Sequence, residues 1–458
     1  MNSKTRKERF VVIGGCAAGM SAASKAKRLN PALEVVALEK TPHVSYSACG
    51  IPYYISEVVR AADDLVAVTP EEFRKKRGIE VFTCHEVVAV DSARRRVTAV
   101  DLKAGTEVAF DYDRLLISVG GTPRRPHLPG FDLQNVFTLQ TLQDGIELKR
   151  FIDKNRPQRI VLVGGGYIAM EMAEACRLRG LQVTLVEKAP HILPGFEEEV
   201  ADHVSAELSR EGVQILTGAE VAGIEGADGG AATAVLLGES GERLPCDLVL
   251  VCAGLEPNTR LARTLGIRLG NTGAISVNWK METSLPNVYA AGDCVEVRNL
   301  VSGKPDYIPL GSTANKQGRV AGTNVGGGTA ALKGVVGTSA FKVFTLEVAR
   351  TGLSKQKALE LGFAADAVTV SHNSRAGYFL TARPVTVTVV FDRRTARLLG
   401  AQMVGQEGVS KRIDIFAAAL TNRMKLDEIA YLDLSYAPPF APVWDPVLVA
   451  VNAARGKR

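Results

Sequence analysis

One cysteine of this 458-residue chain stands in a setting that chemistry could use. Cys49 lies in "HVSYSACGIPYY" (His43–Tyr54), a turn rich in glycine, serine and tyrosine. As a thiolate it is a nucleophile that can attack an electrophilic sulfur or oxygen. The other six cysteines (Cys16, Cys84, Cys176, Cys246, Cys252 and Cys294) are irregularly spaced, and no C-x-x-C occurs. Neither a disulfide framework nor a metal site follows from that pattern, so most of them read as free core thiols.

The elements around Cys49 explain what such a sulfur could be coupled to. "RFVVIGGCAAGMSAASKAKRL" reads as a buried strand, a tight turn and a helix, and "LEVVALEK" returns as a second strand ending at Glu39 and Lys40. Gly14 and Gly19 let the backbone approach a pyrophosphate at the positive end of a helix, with Cys16 at the middle glycine position. Glu39, about 25 residues on, is placed to accept from a ribose hydroxyl. The pattern repeats in "RIVLVGGGYIAMEMAEACRLRGLQVTLVEK", with Gly164 and Gly166 in place, Ala169 third and Glu187 at the end. Two such units imply two dinucleotide sites and electron transfer between two cofactors. Glu187 should repel a 2′-phosphate and favour NADH, while Ala169 keeps NADPH as the alternative.

Three further segments complete a set: "LLISVGGTPRRP" with Ser118, Gly120 and Arg124, "LVCAGLEPN" with Gly254, and "LPNVYAAGDCVEV" with Asp293 after an apolar strand. Taken together, the chain resembles the pyridine nucleotide–disulfide oxidoreductases over essentially its whole length. The resemblance implies that the first turn holds FAD, the second holds NAD(P)H, and Asp293 bonds the flavin ribityl chain. Many members carry two cysteines five apart; here Tyr54 stands five after Cys49. The chain is therefore similar to the single-cysteine branch of coenzyme A disulfide reductases, persulfide reductases, NADH oxidases and NADH peroxidases. A lone sulfur has no partner to close a ring, so its oxidised form is a mixed disulfide, a persulfide or a sulfenate. Helix N-terminal amides and the flavin are expected to lower its pKa.

Within that branch, the peroxide-reducing members carry a histidine where this chain has Ala17. Tyr378 in "SHNSRAGYFL" and Tyr436 in "YLDLSYAPPF" resemble the two tyrosines that coenzyme A disulfide and persulfide reductases set beside the cysteine, the second from the partner subunit. Such phenols stabilise and protonate a leaving thiolate. Family positions for coenzyme A fall on Ser21, Lys25, Arg28, Ser45 and, in "RKKR", Arg77, while Ala48 and Trp444 depart from the pattern. The implied activity is NAD(P)H-driven reduction of a low-molecular-weight disulfide, persulfide or polysulfide through Cys49. An NADH oxidase or peroxidase, or a flavin redox sensor without turnover, are the alternatives.

Composition fits this reading. A net charge of +6 suits an anionic substrate but is too diffuse for nucleic acid. Basic residues precede the apolar run "FVVI" near the start, a run too short for a signal core, and no stretch could span a membrane. A cytoplasmic enzyme is expected. The expected α/β architecture has a discontinuous FAD domain (1–112 and 250–330), an inserted NAD(P)H domain (113–249) and a dimerisation domain (335–458), with a homodimer sharing its active sites. The small-residue stretch "NVGGGTAALKG" reads as a linker, and "GIEGADGGAATAVLLGESGERL" as a hairpin turning at "ADGG".

Overall fold

A computed structural model describes residues 7–227, 230–238 and 241–457. The basic stretch at residues 1–6 and two residues of the "ADGG" turn, Asp228 and Gly229, lie outside the described residues. The chain builds three units, two of them parallel-sheet folds of the same design and the third an antiparallel one.

The first sheet runs Val288–Ala290, Arg114–Ile117, Arg9–Ile13, Glu34–Leu38, Ile79–Phe82, all neighbours parallel. Its central strand RFVVI has no polar alternation because helices and an antiparallel sheet cover both faces. The covering sheet comprises His85–Asp91, Arg96–Asp101 and Thr106–Asp111. The second parallel sheet runs Val213–Thr217, Gln182–Glu187, Arg159–Val163, Leu248–Val251, Val136–Thr138. Its own antiparallel sheet is Val221–Gly226, Ala232–Leu237 and Glu242–Pro245, as the hairpin pattern predicts.

The chain changes sheets later than the expected boundaries at 112/113 and 249/250. Arg114–Ile117 still belongs to the first sheet, paired with Phe10–Ile13, and Leu248–Val251 still belongs to the second. The two crossings, Gly121–Pro123 and Leu255–Pro257, pair with each other antiparallel. An apolar strand is legible in sequence, but which sheet it joins depends on its partners. The "NVGGGTAALKG" stretch is also no free tether. Asn324 closes it on Ala330 through both its amide groups, and Leu332 N–H donates to Trp279 O.

The third unit is a five-stranded antiparallel sheet ordered Ser339–Val343, Leu346–Gly352, Leu398–Gly405, Pro384–Asp392, Ala365–Asn373. The strand–turn–strand connection expected at "FDRRTARLLG" is its third-to-fourth pairing. Helices Val409–Thr421 and Pro446–Lys457 bury their apolar faces on it around Phe391 and Phe416.

Candidate active site

The two glycine turns share one construction. Gly14 has φ +104°, and a Cβ there would meet Ser118 O at 2.2 Å; one on Gly19 would meet Gly14 O at 1.9 Å. Gly164 repeats the conformation at φ +110°, with Cys252 O 2.6 Å from a Cβ. Each turn is closed by its strand-end glutamate. Glu39 accepts from Gly15 N–H and Thr41 N–H, both at 2.7 Å. Glu187 accepts from Gly165 N–H at 2.6 Å and Ala189 N–H at 2.7 Å. Helices Ala17–Leu29 and Tyr167–Leu178 start at these turns without a side-chain cap, so their first N–H groups are left for an anion. These backbone cradles fit the pyrophosphates of two dinucleotides.

Other expected cofactor residues divide into those that face a ligand and those that brace. Ser118 turns its hydroxyl inward, donating to Ile13 O at 2.8 Å, so it supports the first turn. Lys40 is exposed and 3.3 Å from Glu86. Gly120, Arg124 and Gly254 sit at the crossing between the halves, where Arg124 N–H donates to Gly254 O and its guanidinium pairs with Glu256 at 3.0 Å. Asp293 follows strand Val288–Ala290 and is half-buried; burial raises its carboxyl to about 6. Its backbone is pinned on both sides: Gly292 N–H donates to Gln317 and Tyr307 OH donates to Asp293 O.

Cys49 occupies a single 3₁₀ turn, Ala48–Gly50, that runs into helix Ile51–Ile55. The preceding loop hangs from the first glycine turn, because Ser45 N–H donates to Gly15 O at 2.8 Å. Ser45 thus fixes the distance from turn to sulfur through its backbone. Cys49 is the exposed cysteine of the seven; the others are half-buried or buried. Tyr54 packs inward, with Lys149 Nζ 5.8 Å over its ring.

The sulfur's electrostatic neighbours come from both parallel units. Although accessible, the thiol has enough protein around it that burial raises its pKa, and Glu171 and Asp293 raise it further. Within the polypeptide alone, desolvation and the two carboxylates outweigh the Cys49 backbone N–H, which lowers it. Glu171, one turn into the second unit's helix, is itself raised to about 7 by burial and by Glu174. Tyr167 feels burial first, then Asp293, Cys49 and Glu171. Arg350 of the third unit donates to Gly195 O, stacks 5.2 Å over Phe196, and acts on the same tyrosine. Glu171 and Tyr167 were not singled out in the sequence. The available signal was their placement one and five residues after Gly166, on the face that starts beside the turn.

Of the candidate substrate residues, Ser21, Lys25 and Arg28 share one face of helix Ala17–Leu29 by their spacing. The "RKKR" helix, Pro70–Arg77, joins that face: Arg77 donates to Ser24 at 3.0 Å. The other three basic residues are paired with Glu71, Glu72 and Glu80. Tyr378 and Tyr436 lie on the third unit, 73% and 51% exposed, beside other exposed apolar groups such as Leu380 and Phe440. The charges acting on Cys49 are those of the first two units, Glu171 and Asp293, and all three groups act on Tyr167.

The profile described as pyridine nucleotide-disulphide oxidoreductase matches residues 8–318, and the family's dimerisation domain matches residues 338–446. The chain belongs to the pyridine nucleotide-disulphide oxidoreductase family. As a member it is an FAD-dependent enzyme that uses NAD(P)H, and its antiparallel unit is the dimerisation domain. It is similar to the NAD(P)H sulfur oxidoreductase (CoA-dependent) of Pyrococcus abyssi, 40% identical over 98% of both chains. It also resembles an NADH oxidase of Methanocaldococcus jannaschii, 34% identical over 98% of this chain and 99% of that one. Among solved structures, an NAD-dependent persulfide reductase from A. fulgidus superposes with a TM-score of 0.94 at 35% identity, covering 98% of this chain and 83% of that one. In this oxidoreductase no helix among the described residues is long and apolar enough to cross a membrane.

Proposed function

We propose that this oxidoreductase reduces low-molecular-weight disulfides, persulfides or polysulfides, coenzyme A derivatives among them, with Cys49 as the redox centre. The observation that carries the reading is the junction at Cys49, an accessible sulfur acted on by Asp293 of one parallel unit and Glu171 of the other. On this reading the first unit takes FAD, the second takes NADH in preference to NADPH, and the dimerisation domain supplies the tyrosines. The turns at Gly14 and Gly164 would hold FAD and NADH, and the bound flavin would supply two-electron relay between the nicotinamide and Cys49. The Cys49 thiolate attacks one sulfur of RSSR, forming Cys49–S–SR and expelling RS⁻. Because their loops are joined within one chain, Tyr378 of the partner subunit and Tyr436 of the partner subunit together hydrogen-bond the leaving thiolate and supply its proton. Two reducing equivalents then cleave the mixed disulfide, so that NADH, one proton and RSSR give NAD⁺ and two RSH.

Lys25, Arg28 and Arg77 form the cationic face suited to the phosphates of coenzyme A, with Ser21 beside them. Ala17 argues against a peroxide reductase, since no imidazole stands at that turn to manage the proton. All seven cysteines are free thiols, which fits a reducing cytoplasm. The test is Cys49→Ser. The holoenzyme should keep its flavin and still be bleached by NADH, yet lose all but a few per cent of disulfide and polysulfide turnover. Retained sulfur turnover, or a wild type faster with oxygen or peroxide than with any sulfur acceptor, overturns the proposal.

A further inference from the structure

The loops that present Tyr378 and Tyr436 have little packing of their own. Gly377–Ala382 is half-buried or exposed throughout, and so is the stretch from Leu434 to Phe440. Yet both loops converge on one buried side chain, Arg412, from helix Val409–Thr421. Its Nη2 donates to Ser374 O at 2.8 Å, at the neck of the Tyr378 loop, and to Phe440 O at 3.2 Å, in the Tyr436 loop. Its Nε donates to Asp445 Oδ2 at 2.8 Å. The other oxygen of Asp445 accepts from Val447 N–H at 2.9 Å and so caps the final helix. The loops are also joined directly, Ala376 N–H donating to Pro438 O at 3.2 Å.

From this convergence we infer that Arg412, held by Asp445, is a positioning residue for the chemistry at Cys49: it sets both tyrosines as one unit. Ion pairs of this kind add little to stability when buried, but a planar guanidinium fixes direction. Its fork reaches Asp445 and two carbonyls on different loops at once. A lysine would keep the charge opposite Asp445 but has one nitrogen, too few directions to hold both loops. Misplacement by about 1 Å at a reacting centre lowers rates by about a hundredfold. The effect falls on the step that uses the tyrosines, and NADH oxidation at the second glycine turn is untouched.

The inference rests on the reading of the two tyrosines above, and its test separates the two. Stopped-flow on the holoenzyme dimer measures flavin bleaching by NADH, then reoxidation by whichever of coenzyme A disulfide, glutathione disulfide and sodium polysulfide the wild type uses fastest. Arg412→Lys should bleach within about twofold of wild type and reoxidise about 10- to 100-fold more slowly. Added to Tyr378→Phe/Tyr436→Phe, it should cost less than about threefold more, because it acts through those phenols. Should Arg412→Lys not assemble, Asp445→Asn, which keeps an oxygen for Val447, is read for the same partition. Wild-type reoxidation in Arg412→Lys beside a slowed tyrosine double variant defeats the inference and leaves the tyrosine reading standing. Losses that multiply in full, or bleaching slowed as much as reoxidation, defeat it too. An unimpaired tyrosine double variant instead removes the reading it stands on.

Discussion

Replacing Glu187 by glutamine should change which nicotinamide the enzyme prefers, and the structure sets how far. Both oxygens of Glu187 are bonded to backbone N–H groups at 2.6 and 2.7 Å, and the residue is 7% exposed. Its charge therefore cannot swing away from an arriving 2′-phosphate. At about 4 Å and an effective dielectric near 20, each pair of like charges repels by about 4 kcal/mol. Solvent and the neighbouring helix start reduce this to roughly 1–3 kcal/mol, about 5- to 150-fold in kcat/KM. Wild type should favour NADH over NADPH by that factor, and Glu187→Gln should erase at least about fivefold of it. The substitution also has a structural effect. Glutamine offers one oxygen where two N–H donors were served, so Gly165 or Ala189 faces an amide NH₂, which costs about 1–3 kcal/mol. Melting should fall by a few degrees alongside the change in preference. Steady-state kcat/KM with both nucleotides is the assay. Equal use of NADH and NADPH by wild type, or a ratio unmoved by Glu187→Gln, refutes the reasoning.

Gly19→Ala should yield protein with little flavin absorbance per subunit, because even a methyl group collides with Gly14 O; full occupancy would show that the first turn is not the FAD cradle. Glu171→Gln should move the Cys49 thiolate titration to lower pH. The Glu171 carboxyl ionises at about 7 and, once charged, opposes the second negative charge on the sulfur, so iodoacetamide should alkylate the variant faster above that pH. An unchanged or upward titration would separate Glu171 from the site. Lys25→Ala/Arg77→Ala should raise KM for coenzyme A disulfide about 10- to 100-fold, losing charge-assisted bonds of about 1.5–3 kcal/mol, with far less effect on glutathione disulfide. Equal effects on the two substrates would count against a coenzyme A face.

Strand–turn–helix units were legible because glycine at positive φ and a strand-end acid leave a local imprint: Gly14 and Gly164 take that φ, while the bonds by which Glu39 and Glu187 close their turns on backbone N–H groups left no separate signal. Cys49 was legible from its turn. Less visible was anything set by assembly of units. Arg114–Ile117 reads as a strand in isolation, and its place in the first sheet depends on Arg9–Ile13. Glu171 looks like any surface helix acid until the second unit's helix is docked beside Cys49 and burial lifts its pKa. That the Ser118 hydroxyl donates to Ile13 O and braces the first turn is likewise set by the neighbouring strand. Arg412 and Asp445 carry no spacing signal at all, since 33 residues separate them.

On the proposed reading, Cys49 of one subunit works with Tyr436 of the other. Dimers combining one Cys49→Ser subunit with one Tyr436→Phe subunit gather both lesions in one active site and leave the second intact. Each pure variant should be impaired, Tyr436→Phe by roughly tenfold to a thousandfold, the span for losing a general acid or its hydrogen bond. Purified mixed dimers, assayed for disulfide turnover, should recover about half of the wild-type rate, the one-of-two sites that a shared site leaves whole. Mixed dimers no more active than the pure variants would contradict the shared site.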